Sequence, residues 1–237
     1  MKRNYLIDQV RGFTIISMVL FHLFYDISLY RKLARYDGTL FNHIWQLSIA
    51  TSFFTISGIT SNFLSSKKNI KRGIKVSLLG FLISLVTYLV DKDLRIVFGV
   101  LNGLGLSMIL IGLIQDRISI NPKLCWLFLG LFILTYRIPN KEILAFPIDS
   151  TLYDINLFYF GFPSDSFYST DYFPLIPWFF IYIFGFLFGQ ISIKSKYFKK
   201  DYKNNFLAKI GQHSIEIYLA HQVIIYILVY LYFTYLG

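Results

Sequence analysis

Residues 6–30 read LIDQVRGFTIISMVLFHLFYDISLY. The run is long and apolar enough for a membrane-crossing helix, which needs about 20 residues to pass ~30 Å of hydrocarbon. Yet Asp8, Arg11, His22 and Asp26 lie at or within it. At about 100° per residue, Arg11 and His22 fall about 20° apart around the axis and about 16 Å apart along it. Asp26 follows His22 by one helical turn, so these polar groups share one face. An ionisable group inside a span costs a few kcal/mol at least and faces a cavity or a partner. Two readings are open: a satisfied interhelical hydrogen-bond network, or a catalytic or transport face.

The rest of the chain supports a membrane reading. Its 237 residues are 55% hydrophobic, 19% aromatic and only 15% charged, against about 25% charged in soluble domains. The net charge of +10 would suggest nucleic acid in a soluble protein. Here the basic residues gather between apolar runs, where orientation and anionic lipid account for them. Nucleic-acid binding is therefore not expected. A lone cysteine, Cys125, excludes an intrachain disulfide. The first apolar run lacks a convincing small-residue cleavage site, so an uncleaved first helix is expected. No lipidation motif stands out.

Hydropathy predicts an all-α, polytopic membrane helix bundle of about seven spans, residues 10–30, 44–64, 74–90, 96–114, 124–136, 173–191 and 210–236. Residues 1–237 read as one domain. Lys2 and Arg3, the group Lys67, Lys68, Lys71, Arg72 and Lys75, and the group Lys194, Lys196, Lys199, Lys200, Lys203 and Lys209 (against Asp201) fall on one side. The positive-inside rule then puts the N-terminus in the cytoplasm and the C-terminus outside, although Arg31, Lys32 and Arg35 fall outside too. Residues 137–172, before the sixth span, become a long extracytoplasmic loop, acidic on balance and rich in Phe and Tyr. A connector of that length is commonly functional. It is expected to fold back over the outer mouth of the bundle.

Among candidate site residues, His22 is the leading general base, with Asp26 at i+4 able to accept from one ring nitrogen and orient the other. Arg11 suits a phosphate-bearing donor arriving from the cytoplasm; a snorkelling anchor paired with Asp8 is equally open. Asn102, in FGVLNGLGLSM at residues 98–108, is either a substrate-facing amide or an interhelical clamp. His221 and Gln222 fall near mid-membrane in the last span, lining a cavity or packing on a neighbour. His213, Glu216 and His43 read as interfacial. No two histidines have the spacing of a zinc motif, and no metal site is expected.

Taken together, Ile7-Asp8-Gln9-Val10-Arg11-Gly12 followed by His22 and Asp26 is similar to the first-helix signature of membrane acyltransferases. The chain more closely resembles bacterial proteins akin to the catalytic domain of heparan-α-glucosaminide N-acetyltransferase. The resemblance extends through FFTISGI at residues 53–59, FGVLNGLGLSM at 98–108, GFPSDSFYSTDYFPLIPWFFIYIFG at 161–185 and KIGQHSIEIYLAHQ at 209–222. The block from Asp171 to Trp178 is the most specific of these.

The resemblance implies transfer of an acyl group, acetyl from cytosolic acetyl-CoA, to a hydroxyl or amine of an extracytoplasmic glycan or lipid-linked sugar. His22 and Asp26 would be catalytic and Arg11 would bind the donor. Asn102, Asp171, Trp178, His221 and Gln222 would bind substrate. Membrane lipid is an expected partner, a homodimer stays open, and the composition suggests a bacterial cytoplasmic membrane. Two rival expectations are a transporter or flippase using the same polar face as a pathway, and a non-catalytic membrane assembly factor. An enzyme releases free thiol from acetyl-CoA; the rivals do not.

Overall fold

Every expected span holds a helix. The structure, a computed structural model, describes residues 5–31, 38–117, 121–195 and 202–236. Of the residues used to orient the chain, Lys2, Arg3, Lys32, Arg35, Lys196, Lys199, Lys200 and Asp201 lie outside the described ones. The α-helices are α1 (Tyr5–Tyr30), α2 (Leu40–Ser61), α3 (Ser66–Val90), α4 (Val100–Ile114), α5 (Cys125–Thr135), α6 (Leu175–Lys194), α7 (Phe206–Gln212) and α8 (Ser214–Tyr235).

Among the described residues four helices, α1, α3, α6 and α8, are long and apolar enough to cross a membrane. The expectation of seven such spans is not met on those criteria, for physical reasons. Helix α4 has 15 residues and α5 has 11, so they rise about 22 and 16 Å, short of the hydrocarbon thickness. Helix α2 carries Asn42, His43, Gln46, Ser48, Thr51 and Ser52, which dilute its apolar run. The lysines expected to sit in a loop before the third span belong instead to the first turns of α3. Lysine is a good helix former, and hydropathy marks where apolar character begins, not where the helix does.

The chain divides into two compact units, Met1–Ile56 with Lys196–Gly237, and Ser57–Ser195. In the first, α1 packs on α7 and α8. Ile15, Met18, Phe21 and Ile49 form a buried core, flanked by Trp45, Phe53, Ile210, Ile217 and Tyr218. Within a membrane such side chains are held by van der Waals packing rather than by removal from water. Trp45 donates its indole N–H to Ser17 Oγ at 2.8 Å. The axes meet most closely where two glycines face each other. A Cβ on Gly12 would lie 2.0 Å from the Leu207 carbonyl oxygen, and one on Gly211 would lie 1.8 Å from that of Asp8. Farther along, Tyr30 stacks on Phe233 with ring centres 5.1 Å apart. Contacts advance together along both sequences, so α1 and α8 run parallel. The expected single last span is broken at His213, between α7 and α8.

In the second unit α3 and α4 pack antiparallel through small residues. Gly73 and Gly80 of α3 and Gly105 and Gly112 of α4 each lie against the facing helix, leaving no room for a Cβ. Helices α5 and α6 pack through aromatic rings, among them Trp126 on Phe184 and Phe132 on Trp178. Between them, residues 136–174 form 3-10 turns and a short antiparallel hairpin, Glu142–Ile143 with Phe146–Pro147.

The end of this segment is tied to the start of α4. Ser169 Oγ accepts from Val97 N at 2.8 Å, Asp171 Oδ2 from Val100 N at 3.0 Å, and Phe98 O from Phe173 N at 2.9 Å.

Candidate active site

Helix α1 places Asp8, Arg11, His22 and Asp26 along one side, as its periodicity requires. Arg11 bonds Asp8 Oδ1 at 3.3 Å, three residues back, and both side chains are largely buried. About three turns on, His22 meets α8. Its ring centre lies 4.9 Å from that of His221, the planes at 62°. Phe21 sets its ring edge-on to His22. One turn further, Asp26 is buried, and Gln222 Nε2 donates to both of its carboxylate oxygens at 3.2 Å. His22, Asp26, His221 and Gln222 are thus brought together by α1 and α8.

The partner of Asp26 differs from the expected one. Its carboxylate receives the Gln222 amide rather than a His22 ring N–H. The i, i+4 spacing allows the His–Asp bond, but an amide arriving from α8 points straight at both oxygens. No reading of a single helix could show it.

The tautomer of His221 follows from its neighbours. Its Nδ1 contacts the Tyr218 carbonyl oxygen at 2.5 Å. A carbonyl only accepts, so Nδ1 carries the proton and neutral Nε2 keeps its lone pair. Among the described residues that Nε2 is buried without a hydrogen-bond partner, as is Gln222 Oε1. Leaving such atoms unpaired costs about 1–3 kcal/mol each. Two buried acceptors on α8 therefore have capacity to spare, one of them on the ring that faces His22.

Other expected site residues belong to the second unit. Asn102 packs against α3 where Gly80 leaves room; a Cβ there would lie 2.6 Å from Asn102 Oδ1. That oxygen too is buried without a partner among the described residues. Asp171 serves as a capping carboxylate for the first turn of α4 through Val100 N. Burial pushes its carboxyl up from the ordinary value near 3.8 to about 6, with the Val100 N–H opposing the rise. Trp178 is buried among Phe132, Tyr136 and Phe173. Exposed side chains are found at His43, His213 and Glu216.

Two features escaped the reading of residues. The first is the Gly12–Gly211 crossing, which makes the glycine of Arg11-Gly12 a requirement of packing. Its signal was a glycine in each of two apolar helices. The second is a buried polar cluster in the second unit. Tyr182 OH and Ser61 Oγ bond at 2.7 Å, and Asn69 Nδ2 donates to Ser61 O at 3.0 Å and Gln115 Oε1 at 2.8 Å. Among the described residues no three His, Cys, Asp or Glu side chains gather to hold a metal ion.

No curated protein and no solved structure matches the chain. A family model described as heparan-alpha-glucosaminide N-acetyltransferase, catalytic, matches residues 3–223. That match takes in α1 with its Arg-Gly and His22, the Asp171–Trp178 block, and α8 as far as Val223. The chain belongs to the heparan-α-glucosaminide N-acetyltransferase catalytic-domain family.

Proposed function

We propose that this membrane protein transfers an acyl group, acetyl, from cytosolic acetyl-CoA to a hydroxyl or amine of an extracytoplasmic glycan or lipid-linked sugar, in a bacterial cytoplasmic membrane. The observation that carries the proposal is the buried cluster of α1 and α8. His22 lies against His221, whose Nε2 has no partner, beside an Asp26 held by Gln222. Polar groups are buried in a span where function repays the cost. The parallel course of α1 and α8 favours an odd number of crossings between them, and so a chain with its ends on opposite faces.

In the reaction, His22 takes the proton of the acceptor O–H or N–H as that atom attacks the thioester carbonyl. The carbonyl π electrons move onto oxygen, where a hydrogen-bond donor stabilises the charge. Collapse of the tetrahedral intermediate breaks the C–S bond, and protonated His22 returns its proton to the leaving sulfur as free CoA thiol. Arg11 meets the phosphates of the donor; Gln222 Oε1 accepts from the acceptor sugar. Asp26, fixed by Gln222, holds the cluster's geometry. Asn102, Asp171 and Trp178 are the proposed substrate-binding residues of the second unit. A second reading has His221 as the base, because its Nε2 already carries a free lone pair.

The test is thiol release from acetyl-CoA by the purified chain, with and without a lipid-linked sugar extract. Acceptor-dependent release is expected. A folded protein that consumes no thioester would favour the transporter or assembly-factor reading. Calorimetric binding of acetyl-CoA should weaken in Arg11→Ala; unchanged affinity would remove Arg11 from the donor site.

A further inference from the structure

Helix α3 presents a second recognisable surface, on the side facing away from α4. Lys67, Lys71 and Lys75 lie one above another at i, i+4 and i+8, and with Ile70 and Ile74 they line a shallow groove. The same stripe continues through Leu78, Leu82, Leu85 and Leu89, all more than half exposed. These seven positions fall within an arc of about 80° on the helix. The opposite face, with Asn69, Gly73, Val76 and Gly80, is buried. Among the described residues none of the three lysines is in an ion pair. Asp116, at this end of α3, bonds Ser66.

Length places the change from charge to hydrocarbon at a membrane boundary. Counting about 20 residues back from Val90, the span needed for the hydrocarbon core, puts the boundary near Lys71. Lys67 and Lys71 then stand in the headgroup layer, and Lys75 reaches it by extending its stem along Ile74. The stripe offers cations where lipid phosphates lie and leucines where acyl chains lie.

We propose that this face of α3 is a binding site for one anionic phospholipid, its headgroup phosphate on Lys67, Lys71 and Lys75 and an acyl chain along Leu78, Leu82, Leu85 and Leu89. Charge complementarity selects the anionic headgroup, and the leucine continuation selects a lipid over a soluble phosphate. The site is independent of the acyl-transfer reading.

The test is native mass spectrometry of the full chain released from nanodiscs of equal phosphatidylglycerol and phosphatidylcholine. Wild type should retain phosphatidylglycerol preferentially. Each Lys→Gln change at 67, 71 and 75 should lower that preference by on the order of fivefold, the value of one lysine near an anionic surface. Lys123→Gln, off the stripe, should leave it unchanged. Leu82→Ser with Leu85→Ser should also weaken retention, with all three lysines intact. Equal retention of both lipids by wild type, or full preference in the triple lysine variant, would overturn the proposal. Loss with the lysines but none with the leucines would show that the headgroup phosphate is held without the acyl chain, and also overturn it. Should the triple variant not fold, Lys71→Gln alone makes the same comparison.

Discussion

The packing of α1 on α7 and α8 and that of α3 on α4 are built with the same device and put it to different use. Helix α1 approaches α7, which leads into α8, and α3 approaches α4, through glycines that leave no room for a Cβ. Between α3 and α4 the space is filled by small residues, and the hydroxyls of Ser84, Thr87 and Ser107 bond back to their own helices. Asn102 is the exception there, an amide wedged at Gly80 with Oδ1 unpaired. Between α1 and α8 four polar side chains converge, and two acceptor atoms among them stay unpaired. Close packing alone needs neither a carboxylate nor two histidines. The comparison separates a pair that holds the fold from one that also holds a reactive cluster.

The glycine crossings should break hardest. Gly211→Ala places a methyl 1.8 Å from Asp8 O, and should lower stability by about 3 kcal/mol or more, since backbone cannot yield as a side chain can. Gly105→Ala, facing Ser77 and Gly73, should cost about 1–3 kcal/mol. Gly130→Ala in α5 meets nothing within 4 Å and should gain up to about 1 kcal/mol from helix propensity. Thermal unfolding in one detergent ranks the three. A tolerated Gly211→Ala would refute the close crossing.

Next comes the amide contrast. Gln222→Leu leaves the buried Asp26 carboxylate without its donor and should cost about 1–3 kcal/mol. Asn102→Ala removes an unpaired oxygen and should cost less. In the proposed substrate-binding role, however, it should lower kcat/KM by about 10-fold or more. Equal stability losses would mean that Asp26 has another donor; unchanged kcat/KM would leave Asn102 as a clamp.

The smallest effect is one of pH. Burial raises the folded-state pKa of Asp171 to about 6, so the folded protein binds more protons than the unfolded chain between the two values. The contribution is most favourable below the unfolded value near 3.8 and is lost as pH rises through about 6. Asp171→Asn can still accept from Val100 N and should flatten this dependence. An unaltered pH profile of unfolding would show that the Asp171 carboxyl does not titrate in that window.

Much of this was legible in the sequence, and the limits are instructive. The polar face of α1 followed from helical periodicity alone, because residues on one helix are placed by local geometry. What α1 would meet was not local. The Gln222–Asp26 bond depends on two helices some 200 residues apart running parallel, and no spacing rule contains that. Element starts were displaced where caps decide them. Helix α4 begins at Val100 because Asp171 accepts its N–H from across the chain, whereas apolar character begins at Ile96. The break at His213 fell inside an unbroken hydropathy window. Trp178, singled out by a family motif, turned out to be packed in the aromatic core between α5 and α6, a reminder that motif residues can serve the scaffold.

The central claim is that the α1–α8 histidine cluster performs proton transfer. The most direct test is acceptor-dependent thiol release by His22→Ala and His221→Ala, each shown by thermal unfolding to be folded. The account predicts a fall of about 10²–10⁴-fold in turnover for His22→Ala, and a comparable fall for His221→Ala if its free Nε2 is the base. Turnover at the wild-type rate in both variants would contradict it.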